Sequence, residues 1–325
     1  MCVGTTKIKT EWKTSSAAEE DGSTERIPIA LRPLVSAYRS VPRFSIPLTD
    51  FDVSFILASF AALCPLRVAF ENLLPLAGWP PSDTRLTIDA AGSFVSGLQA
   101  TFLCVACWSC LVSQPYRPSS RIDSAPVWWR DAVTSVLDYC IGYMMYDTVF
   151  LIITAARTGT DLGGDIMFLG HHFATSLTML SARRLGAGHL VVMILMFTGE
   201  LSSPFMNSHM VLRLAARVPE LASPWLHTML AYAEFSYSIV YVAMRIFLGP
   251  ISAAHITYEL IFTKRGRENV PFWLTALWLP MIWGVLIGSK PYIDEALEML
   301  SDGLWQVKYG PDYDMGDLYV LRDEL

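Results

Sequence analysis

Apolar residues fall in seven long blocks divided by short polar stretches, at 51–76, 90–113, 131–155, 166–182, 187–214, 225–249 and 271–289. A helix rising ~1.5 Å per residue needs ~20 such residues to cross the hydrocarbon of a bilayer. Most of the blocks reach that length easily. The first is interrupted by Arg67 and Glu71, four residues apart and able to pair on one helix face. The fourth is short and is bounded by Asp165 and by Arg183 and Arg184. Open strands leave backbone groups unsatisfied in lipid. The pattern therefore predicts an all-α protein, a polytopic transmembrane helical bundle of about six to seven spans.

Composition agrees with the pattern. The chain is 53% hydrophobic and 17% charged, with mean hydropathy +0.38, too apolar for a soluble protein of this length. Three segments follow: a polar, proline-punctuated tail at 1–50, the membrane domain at 51–290 and a C-terminal tail at 291–325. The first tail lacks the apolar core of a cleavable signal and is expected to be cytosolic and disordered at its start. Residues 290–325 carry nine acids and three bases, a balance of −6 that equals the net charge of the whole chain. Such a tail gives no support for nucleic acid as a partner. Cys104, Cys107 and Cys110 form a C-x-x-C-x-x-C pattern, but it lies inside an apolar block, where helical geometry turns the outer two apart. Small-residue packing is expected there rather than a metal cluster.

Charge also suggests an orientation. With seven spans, the N-terminal tail and the loops 114–130, 183–186 and 250–270 share one face. They hold most of the arginines and lysines outside the spans. Positive charge favours the cytosol, so the C-terminus is expected in the lumen. The chain ends Arg322-Asp323-Glu324-Leu325, which has the form of a lumenal retrieval signal of the endoplasmic reticulum; the alternative is an acidic tail that ends so by chance.

Polar residues inside the apolar blocks are costly and mark candidate sites. The third block carries Tyr143 and Asp147 on one helix face, with Asp138 pointing elsewhere. The fourth reads IMFLGHHFATSLTML and holds His171 and His172. Adjacent helical residues diverge by ~100°, so one imidazole can look into a cavity while the other ties to a neighbouring helix. His171 lies one turn from Thr175. Asp147 is the candidate partner of a histidine, since a carboxylate fixes an imidazole's tautomer and raises its basicity. Asp147 as helix glue and the histidines as a structural pair are the competing readings. No H-x-x-x-H or H-E-x-x-H spacing occurs, so no metal is expected. The fifth block has Glu200 and Asn207 on one face, with Pro204 between them to bend the helix. The sixth has a polar seam of Glu234, Ser238, Tyr241 and Arg245, expected to face the bundle interior.

The segments GYMMYD, HHFATSLTML and GELSSPFMN, in that order and spacing, resemble the TLC domain. That domain is named for the translocating-chain-associated membrane proteins, the ceramide synthases and the CLN membrane proteins. The resemblance covers roughly 51–290 and implies an internal, lipid-accessible cavity and residence in the endoplasmic reticulum. In ceramide synthases the histidine pair serves acyl transfer from acyl-CoA to a sphingoid amine. Carried over, His171 and His172 would be general base or nucleophile, with Asp147 beside them and acyl-CoA as co-substrate. Tyr143, Thr175, Glu200, Asn207, Glu234, Tyr241 and Arg245 would contact the substrate. The synthase pattern continues to a downstream His-Asp and another Asp, whereas this chain has LMFTGELSSPF. That run looks like the branch outside the synthases, tied to membrane-lipid homeostasis. Three functions are therefore expected: a lipid-binding homeostasis protein without cofactor, an acyltransferase, or an endoplasmic-reticulum cargo or protein-interaction role.

Overall fold

A computed structural model describes residues 27–46, 51–113, 117–162 and 166–309. The elements run α1 (Arg32–Ser40), a two-strand hairpin of β1 (Ser45–Ile46) and β2 (Phe51–Asp52), then α2 (Ser54–Leu73), α3 (Arg85–Ser113), α4 (Val127–Thr158) and α5 (Ile166–Leu185). There follow α6 (His189–Glu200), α7 (Ser203–Ala216), α8 (Pro224–Val242), a π-helical turn (Ala243–Leu248), α9 (Gly249–Phe262), α10 (Lys264–Asn269), α11 (Phe272–Gly288) and α12 (Lys290–Tyr309). Six helical runs are long and apolar enough to cross a membrane: 54–77, 85–113, 127–158, 189–216, 224–262 and 272–304. The core between them is built on fully buried Leu103, Leu137, Tyr146, Met179, Met193 and Trp278. Arg322–Leu325 and residues 1–26 lie outside the described residues.

The sequence anticipates α5 as a span, and its 20 residues give it the length but not the apolarity. Its neighbours explain why. α5 runs antiparallel along α4, with His172 beside Asp147 near one end and Arg183 paired to Asp138 near the other. Past its C-terminus, the Ile122 amide donates to the Gly186 carbonyl (2.9 Å), just ahead of α4. The helix thus runs beside α4 from the level of Asp147 to the loop that precedes α4. Its polar side chains turn inward: Thr178 bonds back to the Ala174 carbonyl, and Ser181 accepts from the Trp278 indole at 2.9 Å. Inward-facing polarity lowers the mean hydropathy without exposing that polarity to lipid.

Loop contacts define two distinct ends. At one, Arg39 pairs with Asp131 (2.8 Å), Arg183 donates to the Asp52 carbonyl (3.2 Å), and Asn269 donates to the Ser119 carbonyl (2.9 Å). At the other, Arg157 reaches the Ser82 carbonyl (3.5 Å) and Leu221 lies over Gly78. Arg39, Arg43, Arg121, Arg183, Arg184 and the Lys264–Arg267 turn gather at the first end, which is the basic one.

Ion pairs tie the helices together. Arg67 and Glu71 are both buried and pair at 2.9 Å; Arg157 of α4 adds a second bond to Glu71 at 3.1 Å, and Arg67 also donates to the Ile88 carbonyl of α3. These partners satisfy a charge pair that would otherwise be costly in the interior. Gly142 lets α4 approach α2 closely, since a Cβ there would sit 2.6 Å from the Ile56 carbonyl. Gly188, at φ 79°, makes the α5–α6 turn, and Trp278 packs where a side chain would stand. Cys104, Cys107, Cys110 and Cys140 are free thiols buried in the core.

Candidate functional site

Helix breaks shape the interior. α6 ends at Glu200 and α7 starts at Ser203, with Pro204 in its first turn. Proline cannot continue the preceding hydrogen-bond ladder, so the bend expected at Pro204 forms at Leu201–Ser202. A second break lies between α8 and α9. Pro250 lacks the N–H that an α-helix would direct to Ile246, and the Gly249 amide bonds instead to the Met244 carbonyl, five residues back. Arg245 sits in this widened turn.

The two breaks face α4, α5, α11 and the start of α12 around a cavity of about 550 Å³. That is well within the range of small-ligand sites. Tyr143, Met144 and Asp147 line it from α4, and Gly170, His171 and His172 from α5. Glu200 and Asn207 come from α6 and α7, Tyr237, Tyr241 and Arg245 from the α8 run, and Ser289 and Tyr292 from the α11–α12 junction. A smaller compartment of about 90 Å³ adjoins it, walled by apolar residues such as Val192, Leu195, Ile282 and Leu286, with Thr175 and Thr178. His171, Gly199, Glu200 and Arg245 line both compartments.

The two histidines divide as their helical angle requires. His172 is buried and its ring is held on both sides by α4: Nε2 lies 3.4 Å from Asp147 Oδ2, and Nδ1 lies 3.2 Å from Thr148 Oγ1. His171 touches the His172 ring at 5.9 Å between centroids. It forms no hydrogen bond with the described residues and opens onto both compartments. Tyr143 donates to Ser96 Oγ at 3.0 Å, fixing its ring on the cavity wall. Asn207 donates to the Ser203 carbonyl (2.8 Å), bracing the first turn of α7.

The family model for the TLC domain matches residues 89–288, well over half the chain. The chain belongs to the TLC-domain family. No curated protein and no solved structure matches it. The TLC match starts in α3 and stops at the end of α11, so α2, α12 and the cavity residues Ser289 and Tyr292 lie outside it.

Within this TLC domain nine of the ten residues singled out from the sequence line the two compartments: Tyr143, Asp147, His171, His172, Thr175, Glu200, Asn207, Tyr241 and Arg245. Glu234 does not. It lies nearly a turn beyond Tyr237, the last residue of α8 on the wall, and ~16 Å along the axis from Arg245. Sequence reasoning missed Ser96, Tyr237 and Tyr292. Ser96 sits alone in an apolar helix and Tyr292 falls in what reads as an acidic tail, so neither carries a periodic signal. Gly170, Gly199 and Gly284 were also missed. A Cβ at any of them would meet no neighbouring atom within 4 Å, so they keep the cavity open. Among the described residues, no group of three or more His, Cys, Asp and Glu side chains is arranged to hold a metal ion.

Proposed function

We propose that this TLC-domain protein binds a membrane lipid in its intramembrane cavity and acts in lipid homeostasis. The cavity itself carries the reading. Its walls combine apolar surface for a chain with polar side chains, from six helical runs, converging where a headgroup would lie. Met167 and Phe168 line it at the start of α5 and are about 40% exposed, and Ile166 and Phe173 beside them are 70% exposed. This apolar, uncovered flank suits lateral entry from lipid. The endoplasmic reticulum is the proposed compartment, on the family resemblance.

The test is to purify the full chain from membranes and measure co-purified lipid by mass spectrometry, beside Gly284→Leu. The substitution fills open space, so it should leave the fold intact and cut retained lipid several-fold. Equal lipid in both proteins, at equal thermal stability, overturns the reading.

His171 supports a second reading, acyl transfer. An imidazole with no hydrogen bond among the described residues, at the junction of two compartments, is placed to take a proton or an acyl group, while His172 and Asp147 hold its helix in register. Depth counts against cytosolic acyl-CoA as donor. His171 lies 14 residues, or ~20 Å, from the α5 end at the basic face, so a lipid donor within the bilayer fits better. Knockout cells complemented with wild type or with His171→Ala should differ in one lipid class at equal protein level. Full rescue by the variant removes the enzyme reading and leaves lipid binding standing.

A further inference from the structure

Arg245 is a cation inside a membrane bundle without a contacting counterion. Its Nη2 donates to the Gly199 carbonyl at 3.3 Å, its guanidinium lies 5.5 Å from the Tyr241 ring centroid, and its Nε is buried with no hydrogen-bond partner. No ion pair from it to a carboxylate within 4 Å forms among the described residues. The other arginines that reach into the bundle are treated differently: Arg67 has Glu71, and Arg183 has Asp138. Two acids share the cavity, and neither forms an ion pair with Arg245 among the described residues. Asp147 faces His172, and Glu200 lies within electrostatic range of Arg245 without contacting it. A guanidinium at such depth is costly while part of it stays unpaired, and one carbonyl leaves most of its five N–H donors unmet.

The cavity supplies the room for that anion. Arg245 borders both compartments, and the π-turn that Pro250 imposes fixes its position. A π-turn interrupts an otherwise continuous helical run here, and such turns recur where a side chain is held for function. Guanidinium donors match the oxygens of phosphate and carboxylate groups.

We propose that Arg245 is the headgroup site for an oxyanion, phosphate or carboxylate, at the polar end of a membrane amphiphile. The apolar part of that ligand lies against Met281, Val285 and the smaller compartment. This rests on the lipid-binding reading above and adds the chemical class of the ligand. Tyr241 and Ser289 border the same corner; the Ser289 hydroxyl already donates to the Val285 carbonyl at 2.8 Å, so the guanidinium supplies the donors to the anion.

The test uses the full chain in phosphatidylcholine nanodiscs, with three fluorescent probes: dioleoyl phosphatidate, oleate and dioleoylglycerol. Wild type should bind at least one of the two anionic probes about tenfold more tightly than dioleoylglycerol. Arg245→Gln should remove that preference while dioleoylglycerol binding persists, and Arg245→Lys should retain part of it. Preference for phosphatidate assigns a phosphate ligand, and preference for oleate a carboxylate; either supports the site. Equal wild-type binding of all three probes overturns the oxyanion site while leaving the lipid cavity intact, and this comparison needs no variant to fold. An undiminished preference in Arg245→Gln overturns it as well. No binding of any probe by wild type overturns both readings.

Discussion

His171 and His172 differ by one position and have different neighbours, because a helix turns ~100° between them. That turn places one ring against Asp147 and Thr148 and leaves the other facing empty space. Their truncations should differ accordingly. His172→Ala removes a buried ring together with its contacts to Asp147 and Thr148, so a loss of ~2–3 kcal/mol is expected. His171→Ala removes a ring with no hydrogen bond, and its loss should stay below ~1 kcal/mol. Thermal unfolding of the two purified variants compares them directly; equal destabilisation would mean that His171 also has a structural partner. An Asp147→Asn, His172→Ala double-mutant cycle should give a coupling of ~1 kcal/mol. The divergence of the pair and the Asp147 partnership were legible in the sequence, since both follow from helical angle and the cost of charge in lipid. Which imidazole took the carboxylate was not legible. That depends on the rotation of α5 against α4, which is set by long-range packing such as Gly142 on α2 and Gly188 on Trp278.

At the scale of the element, proline positions were readable and their consequences only partly so. Pro204 announced a bend, and the break before it forms as expected. Pro250 ended the sixth apolar block, yet the helix continues through it to Phe262 by widening one turn. A continuing helix with an internal π-turn has no distinct hydropathy signature, since the pattern changes only by a fraction of a turn. Restoring the missing donor should reverse it. Pro250→Ala supplies a backbone amide at that position to bond to Ile246, so Ala243–Leu248 can tighten into α-helix and turn Arg245 away from the cavity. Hydrogen exchange should then slow for the amides around 248–251, and co-purified lipid should fall. Unchanged exchange there would show that packing, rather than the proline, holds the π-turn. α12 is the other element the sequence understated. Its acids made 291–325 read as a tail, but Ala296 and Met299 pack with Tyr237 and Tyr241 of α8, and Tyr292 closes part of the cavity wall.

For the whole molecule, alternation of the loops is the strongest constraint on how the bundle sits in a membrane. Loops 117–126 and 186–188 touch one another, and Asn269 reaches Ser119 beside them; loops at 78–84 and 217–223 meet at the far end, where Arg157 also binds. Two loops share an end only when an even number of passes separates them. Between 78–84 and 217–223 run α3, α4, α5 and the α6–α7 pair, which make four passes only if α5 counts as one of them. Hydropathy alone gives six crossings, which would put 217–223 on the side of 117–126. The two topologies separate in one experiment. A glycan acceptor on a short inserted linker at 217–223 should share its fate with one at 78–84, and differ from one at 117–121. With the basic end in the cytosol, as positive charge favours, the first two should be glycosylated in membranes of the endoplasmic reticulum and the third not. A modified acceptor at 78–84 with an unmodified one at 217–223 would instead mean that α5 turns back within the bilayer. The seven-pass result has a further consequence for the site. The cavity then opens in the half of the membrane away from the basic face, so a ligand of the proposed kind would enter from the bilayer rather than from the cytosol.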